Sequence, residues 1–231
     1  MTHSSRSPAA ALRLAGLLYL LIIVCGLSAE MLFRGPLVDF GDPSATASAI
    51  RNAVGTFRLA IAADILMAAA DAALAILLYI IFRPVAPVLA LAAMVFRLIQ
   101  SVMIAMNLMH MQSALLLITG VPGLSTPEAE AMALHALTLH AHGYDLGLVF
   151  FGINSLLTGY LIWLSGLFPR VIGAGVALAG LVYLTGSALR FFAPILFDAF
   201  APAYGVTILA EGAFCLILLS GWTRHRRIRG A

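Results

Sequence analysis

The sequence predicts an all-α protein, a polytopic membrane bundle of six transmembrane helices with both termini on the cytoplasmic side. Three observations lead there. Hydrophobic residues make up 62% of the chain and charged residues only 10%, with a mean hydropathy of +1.04, far from the composition of water-soluble domains. Six apolar stretches each approach or exceed the roughly 20 residues needed to cross a bilayer core. All thirteen basic residues are arginine, and several stand at the ends of those stretches, where a guanidinium stays hydrated while its stem lies along hydrocarbon.

The first span covers about 12–33 and stops where "RGPLVDFGDPS" supplies glycine, proline and aspartate. Residues 1–29 could instead be a cleaved signal peptide, with Gly26 and Ser28 near the cleavage point, but an apolar run continuing past Cys25 to Met31 is long for such a leader. The second span, 56–82, ends at "FRPVAP", and the third, 86–119, ends at "TGVPGLSTPE". From Pro127 to Leu164 no proline intervenes, and a single helix there would run about 57 Å at 1.5 Å per residue, well beyond a bilayer core. The reading divides it into an outer helical cap, 127–142, and a fourth span, 143–165, with Gly143 as the joint. "SGLFPR" and "APILFDAFAP" set off the fifth span, 170–192, and the sixth, 203–222, and a basic tail, 223–231, follows. Residues 1–231 thus read as a single transmembrane domain.

Orientation follows from arginine, in which cytoplasmic loops are enriched. Arg6, Arg13, Arg83, Arg170 and "RHRRIRG" after the sixth span all fall on one side, which places both termini on the cytoplasmic side of the cell membrane. Asp39, Asp42, Glu128, Glu130 and Asp198 fall on the other, with Arg34 and Arg51 as partial exceptions. A pI near 9.2 is explained by these flanking arginines, so no nucleic-acid partner is implied. Cys25 and Cys215 sit inside apolar runs and read as buried thiols, neither a disulfide framework nor a thiolate metal site. The chain has no lysine, which excludes a Schiff-base or lysine-nucleophile chemistry.

The stretches "RLAGLLYLLIIVCGLSAE", "YIIFRPVAPVLALAAMVFRLIQ", "HAHGYDLGLVFFG" and "GYLIWLSGLFPRVIGAGVALAGLVYL" together resemble the bacterial six-helix membrane family DUF4386. The resemblance covers nearly the whole chain. Its most specific pieces are Tyr79, Arg83 and Pro84, the "FRLIQ" around Arg97, and the block from His140 to Gly152. It implies the six-helix membrane fold and no activity. In that family a tyrosine commonly stands where this chain has His142, which leaves His140 as the histidine that matches the pattern.

The polar groups within the spans carry whatever chemistry there is. An aspartate or arginine at the centre of a membrane helix costs about 2.5–3.5 kcal/mol on insertion scales, so Arg58, Asp64 and Asp71 in the second span are not incidental. Asp64 and Asp71, seven residues apart, lie within about 20° on one helix face. Arg97, Gln100 and Asn107 fall within about an 80° arc of the third span. Asp71 and Arg97 lie at matched depth, roughly 16 Å from the connecting loop at 1.5 Å per residue, and are expected to pair. Glu30, His110, Arg190 and Glu211 add to the set, although Glu30, Arg58 and Arg190 can snorkel and His110 can be a satisfied core histidine. His140, Tyr144, Gly147 and Phe151 form one stripe, with Phe151 as the floor of a pocket. His142 and Asp145 form a second stripe whose spacing suits a shared metal, but a lone pair lacks the further carboxylates such sites need, so no metal and no cofactor is predicted.

Three function classes compete on these residues. The first is a binding or transport site for a small polar or lipid-derived ligand, built from Arg58, Asp64, Asp71, Arg97, Gln100, Asn107, His140, Tyr144, Asp145 and Glu211. Asp64, Asn107, His140 and Tyr144 are expected to line one cavity open to the outer face. The second is an intramembrane enzyme using His140 or Asp64 as a general base on a lipid-like substrate, against which stands the absence of a P-loop, an H-E-x-x-H or a rhomboid-like serine and histidine. The third is a structural or regulatory subunit whose buried charges only specify helix pairing. The bilayer is the one partner the composition requires.

Overall fold

The computed structural model describes residues 8–223; Arg6 and the arginines of the basic tail lie outside the described residues. The elements in order are α1 (Pro8–Leu27), a π-helix (Ser28–Arg34), a 3-10 turn (Gly35–Leu37), α2 (Pro43–Asn52), α3 (Val54–Phe82), α4 (Pro87–Thr119), α5 (Thr126–Ser165), α6 (Arg170–Phe192), α7 (Phe197–Phe200) between two further 3-10 turns, and α8 (Tyr204–Ser220). There is no strand among the described residues. Six segments are long and apolar enough to cross a membrane, Ala9–Leu37, Val54–Phe82, Pro87–Thr119, Thr126–Ser165, Arg170–Phe192 and Pro194–Ser220. The protein is therefore a polytopic helical membrane bundle, as hydropathy requires: backbone groups in hydrocarbon have no water to bond, and a helix satisfies them internally.

Local chemistry explains the boundaries. Asp42 caps α2, its carboxylate accepting from Ala45 N–H at 2.9 Å, and Pro43 takes the first helical position, where a missing N–H does no harm. Glu128 supplies one half of a capping box at the start of α5: the Ser125 backbone N–H and hydroxyl both donate to its carboxylate, at 3.0 and 2.6 Å. Gly221, at φ +67°, ends α8 in the left-handed conformation that glycine adopts without strain.

The chain forms two compact units. One contains the described residues up to Leu21, together with Ala70–Gln100 and the described residues from Leu148 onward; the other contains Ile22–Ala69 and Ser101–Gly147. In the first unit, glycines let helices meet backbone to backbone. Gly159 and Gly152 on α5 face Gly173 and Gly180 on α6, and a Cβ at Gly173 would stand 2.6 Å from the Gly159 carbonyl oxygen. Lipid tails are as apolar as leucine, so contacts this close replace the hydrophobic effect as the cause of helix association. Gly16 of α1 meets the Leu218–Leu219 backbone of α8 in the same way, and α6 packs on α8. An aromatic chain fills the interior, with Tyr19 to Phe214 at 5.9 Å, Phe214 to Phe168 at 5.7 Å and Phe168 to Phe82 at 6.3 Å between ring centroids.

The second unit has its own apolar core of Ile50, Phe57, Met111, Leu115, Ile118 and Leu137, with alanines between them. It corrects one sequence expectation. α5 is a single helix of 40 residues, unbroken at Gly143, so 127–142 is the continuation of a long helix and not a separate cap. The glycine is needed for a different reason: a Cβ there would collide with the Asn107 side chain. What favours the extension is burial, since Ala129, Ala133, Ala136 and Leu137 are covered within this unit and Glu130 is paired with Arg51.

Gly173→Leu is expected to destabilise the protein by at least about 1–3 kcal/mol through overpacking against a backbone that cannot yield. Gly212→Ala, where nothing lies within 4 Å of the added methyl, should leave stability unchanged or raised. Thermal unfolding of both variants in the same detergent checks the difference.

Candidate functional site

In the first unit the polar groups converge on Arg97. It is 2% exposed, and its Nε and Nη2 both reach Asp71 Oδ1, at 2.8 and 2.5 Å. The expected pairing of these two residues is present. Its Nη1 donates to Asn154 Oδ1 at 3.4 Å, and Asn154 Nδ2 in turn donates to the Ala93 carbonyl at 2.7 Å, which fixes the amide's orientation. Tyr19 and Phe151 flank the guanidinium, with its carbon 5.2 and 5.0 Å from the ring centroids. A desolvated guanidinium against aromatic faces gains about 2 kcal/mol of cation–π attraction. Nearby in the same unit, the Tyr183 hydroxyl donates to Glu211 Oε1 at 2.6 Å. A void of about 10 Å³ lies against Arg97, Asn154, Thr158 and Tyr79, room for about one water. Gln100 is buried, and its Oε1 has no hydrogen-bond partner.

In the second unit the cation is Arg34. Its Nη1 donates to Asp64 Oδ2 at 2.7 Å, its Nη2 and Nε donate to Glu30 Oε2 at 2.5 and 3.1 Å, and Met111 Sδ stands 3.4 Å from Nη1. The π-helix carries both Glu30 and Arg34, a non-standard turn of the kind often found at functional sites. Asn107 of α4 ties down α5: its Nδ2 donates to the His140 carbonyl at 2.7 Å and lies 3.1 Å from His140 Nδ1. His140 is 3% exposed, and its Nε2 has no hydrogen-bond partner. The His140 and Tyr144 rings are 6.4 Å apart.

A groove of about 430 Å³ opens in this second unit, lined by His110, Ser113 and Leu117 of α4 and by Ala131, Met132, His135, Ala136 and Leu139 of α5. Two imidazoles and a hydroxyl stand on an otherwise aliphatic wall. Typical small-ligand sites fall within about 300–1,000 Å³ and combine an apolar lining with a few polar groups.

The sequence-predicted residues distribute as follows. Asp71, Arg97 and Glu211 belong to the first polar cluster, and Asp64, Asn107 and His140 are buried in the second unit. Arg58 is exposed, and the cation at Asp64 is Arg34, which the sequence places in a turn. Asp64, Asn107, His140 and Tyr144 do not line the groove; Asp64 is covered by Arg34 and is 1% exposed. Phe151 does not line the groove; it packs on Arg97 and, at 5.1 Å, on Tyr183. Asp145 is buried, and His142 Nδ1 meets the Thr138 carbonyl at 2.9 Å. Among the described residues no group of three or more histidine, cysteine or acidic side chains is placed to hold a metal. Sequence reasoning missed Arg34, Tyr183, Asn154 and His135. The signals were present: Glu30 and Arg34 are four apart, and Asn154 is an amide inside an apolar run.

The model of a family described as a domain of unknown function, DUF4386, matches residues 14–222, which take in the six apolar helices. The chain belongs to the DUF4386 family. An uncharacterized protein of Archaeoglobus fulgidus is similar to this DUF4386 chain, 27% identical over 121 residues, which are 52% of this chain and 60% of that protein. This chain therefore covers less than two thirds of that relative's length. No solved structure matches.

Removing one partner of a buried ion pair leaves the other charge uncompensated, at a loss of about 3–5 kcal/mol, whereas replacing both with apolar groups is often neutral. Arg34→Met in this DUF4386 protein is therefore expected to lower stability by about that amount, and Arg34→Met combined with Asp64→Leu to recover most of it. Equal losses in the single and double variants, measured by thermal unfolding in detergent, would refute the pairing as an energetic unit.

Proposed function

We propose that this DUF4386 protein binds a small lipid-derived or polar ligand in the membrane, as a binding or transport protein, and that the α4/α5 groove holds it. The supporting observation is the groove's composition. His110, His135 and Ser113 offer donors and acceptors to a headgroup, while Leu117, Met132 and Leu139 offer an aliphatic wall to a hydrocarbon tail. A wall of that kind, on a chain with six membrane-crossing helices, favours an amphiphile over a fully hydrated solute. Asn107, three residues before His110 on α4, grips the His140 carbonyl, one residue from Leu139, so both walls are braced. The arginine distribution supports a bacterial cytoplasmic membrane with both termini inside.

A second reading is supported by the ion pairs. Arg34 and Arg97 each meet a carboxylate of the protein itself, as they would in a structural or regulatory subunit whose charges only specify helix pairing.

Native mass spectrometry of protein extracted in a mild detergent separates the two readings. Under the ligand reading, wild type retains a lipid-sized adduct, and Ser113→Trp together with His135→Leu reduces its occupancy at least about tenfold, equivalent to about 1.4 kcal/mol, with an unchanged melting temperature. Wild type free of any adduct, or an adduct that persists in the filled groove, favours the structural reading.

A further inference from the structure

The first unit's polar cluster carries an unequal number of charged groups. Around Arg97, its one guanidinium, stand two carboxyl groups, Asp71 on α3 and Glu211 on α8. The guanidinium is committed to Asp71, to which it presents both Nε and Nη2. It also donates to Asn154, a neutral amide, and shares a hydrogen bond with the Tyr19 hydroxyl. Glu211 is 9% exposed, and the hydrogen bonds it receives come from neutral phenols, Tyr183 at 2.6 Å and Tyr19. Through space Glu211 also feels the Arg97 guanidinium, which favours its charged form, and the Asp71 carboxylate, which opposes it. α5 contributes Asn154 and Phe151 to the cluster, and on α8 itself Cys215 turns its Sγ to the Gly16 carbonyl, 3.5 Å away.

With both carboxyl groups ionised, the cluster would hold a net negative charge inside hydrocarbon. Burying an unpaired carboxylate is among the largest penalties a membrane helix meets, whereas a neutral acid that accepts a phenol hydrogen bond is tolerated. Neutrality is reached by one proton, and the geometry says which group takes it, because the guanidinium lies in direct contact with Asp71 whereas the hydrogen bonds Glu211 receives come from phenols.

We propose that Glu211 is an intramembrane proton-binding carboxyl group, protonated while Arg97 is paired with Asp71. The step is a plain acid dissociation, in which the Glu211 carboxylic acid gives its proton to water and becomes a carboxylate. Release leaves Arg97 with two anions to choose between, one on α3 and one on α8, so the proton controls which helix the guanidinium holds. This goes beyond the ligand reading and does not depend on it, since none of these residues lines the groove.

Infrared spectroscopy of the full chain in lipid vesicles tests it, read at the carbonyl stretch of protonated carboxylic acids. Wild type at neutral pH is expected to show that band, to lose it as pH is raised, and to lose one acid's intensity in Glu211→Gln. Glu211→Asp should shift the band without removing it. Asp71→Asn should also remove it, because Arg97 then pairs with Glu211 and draws off its proton. No band in wild type at neutral pH, or a band unchanged in Glu211→Gln or in Asp71→Asn, overturns the proposal. Should Glu211→Gln fail to insert, the wild-type titration and Asp71→Asn decide it.

Discussion

A guanidinium surrounded by hydrocarbon has to find its counter-charge within the protein, and Arg97 finds it in Asp71. That requirement fixes the rotation of two helices, because α3 must turn its aspartate and α4 its arginine toward one point. Insertion of each charge alone costs about 2.5–3.5 kcal/mol, so the pair is a constraint before it is a source of stability. The neighbours follow from it. Tyr19 and Phe151 present aromatic faces to the cation, Asn154 takes a further N–H, and small residues such as Gly152 and Gly159 admit the backbone contacts that hold α5 and α6 together.

The second unit applies the same rule with different parts. Asp64 is met by Arg34, and Arg34 is brought within reach by a π-helical turn in which it also pairs with Glu30. An α-helical continuation would have been the default, so the non-standard turn is best understood as serving the position of that guanidinium. Gly143 and Asn107 are a coupled feature: the missing side chain on α5 is what allows the amide on α4 to reach the His140 carbonyl. Where the buried charges are satisfied internally, the groove presents other polar groups, His110, Ser113 and His135.

The fold was largely legible in the sequence, and the site only partly. The spans were readable because bilayer thickness and hydropathy act on any 20-residue window regardless of what it packs against. Asp71 with Arg97 was readable for a related reason: a short loop joins their helices, so depth counted from that loop places both. Arg34 was misplaced because a turn-like sequence, "RGPLVDF", hides an arginine still inside helical structure. Gly143 was taken for a joint because glycine permits both bending and close approach, and a sequence does not say which is used.

By itself the sequence determined that this chain lies in a membrane, how many times it can cross, and which charged residues would have to be reconciled with hydrocarbon. These depend on composition and on spacing along one helix. The tertiary structure decided which cation meets which carboxylate, that α5 runs unbroken through Gly143, that Glu211 faces Tyr183, and that two histidines share a groove. Those outcomes depend on the rotation and approach of separate helices. In lipid that is set by packing of small residues and by polar pairing between helices, neither of which leaves a periodic signal within a single one.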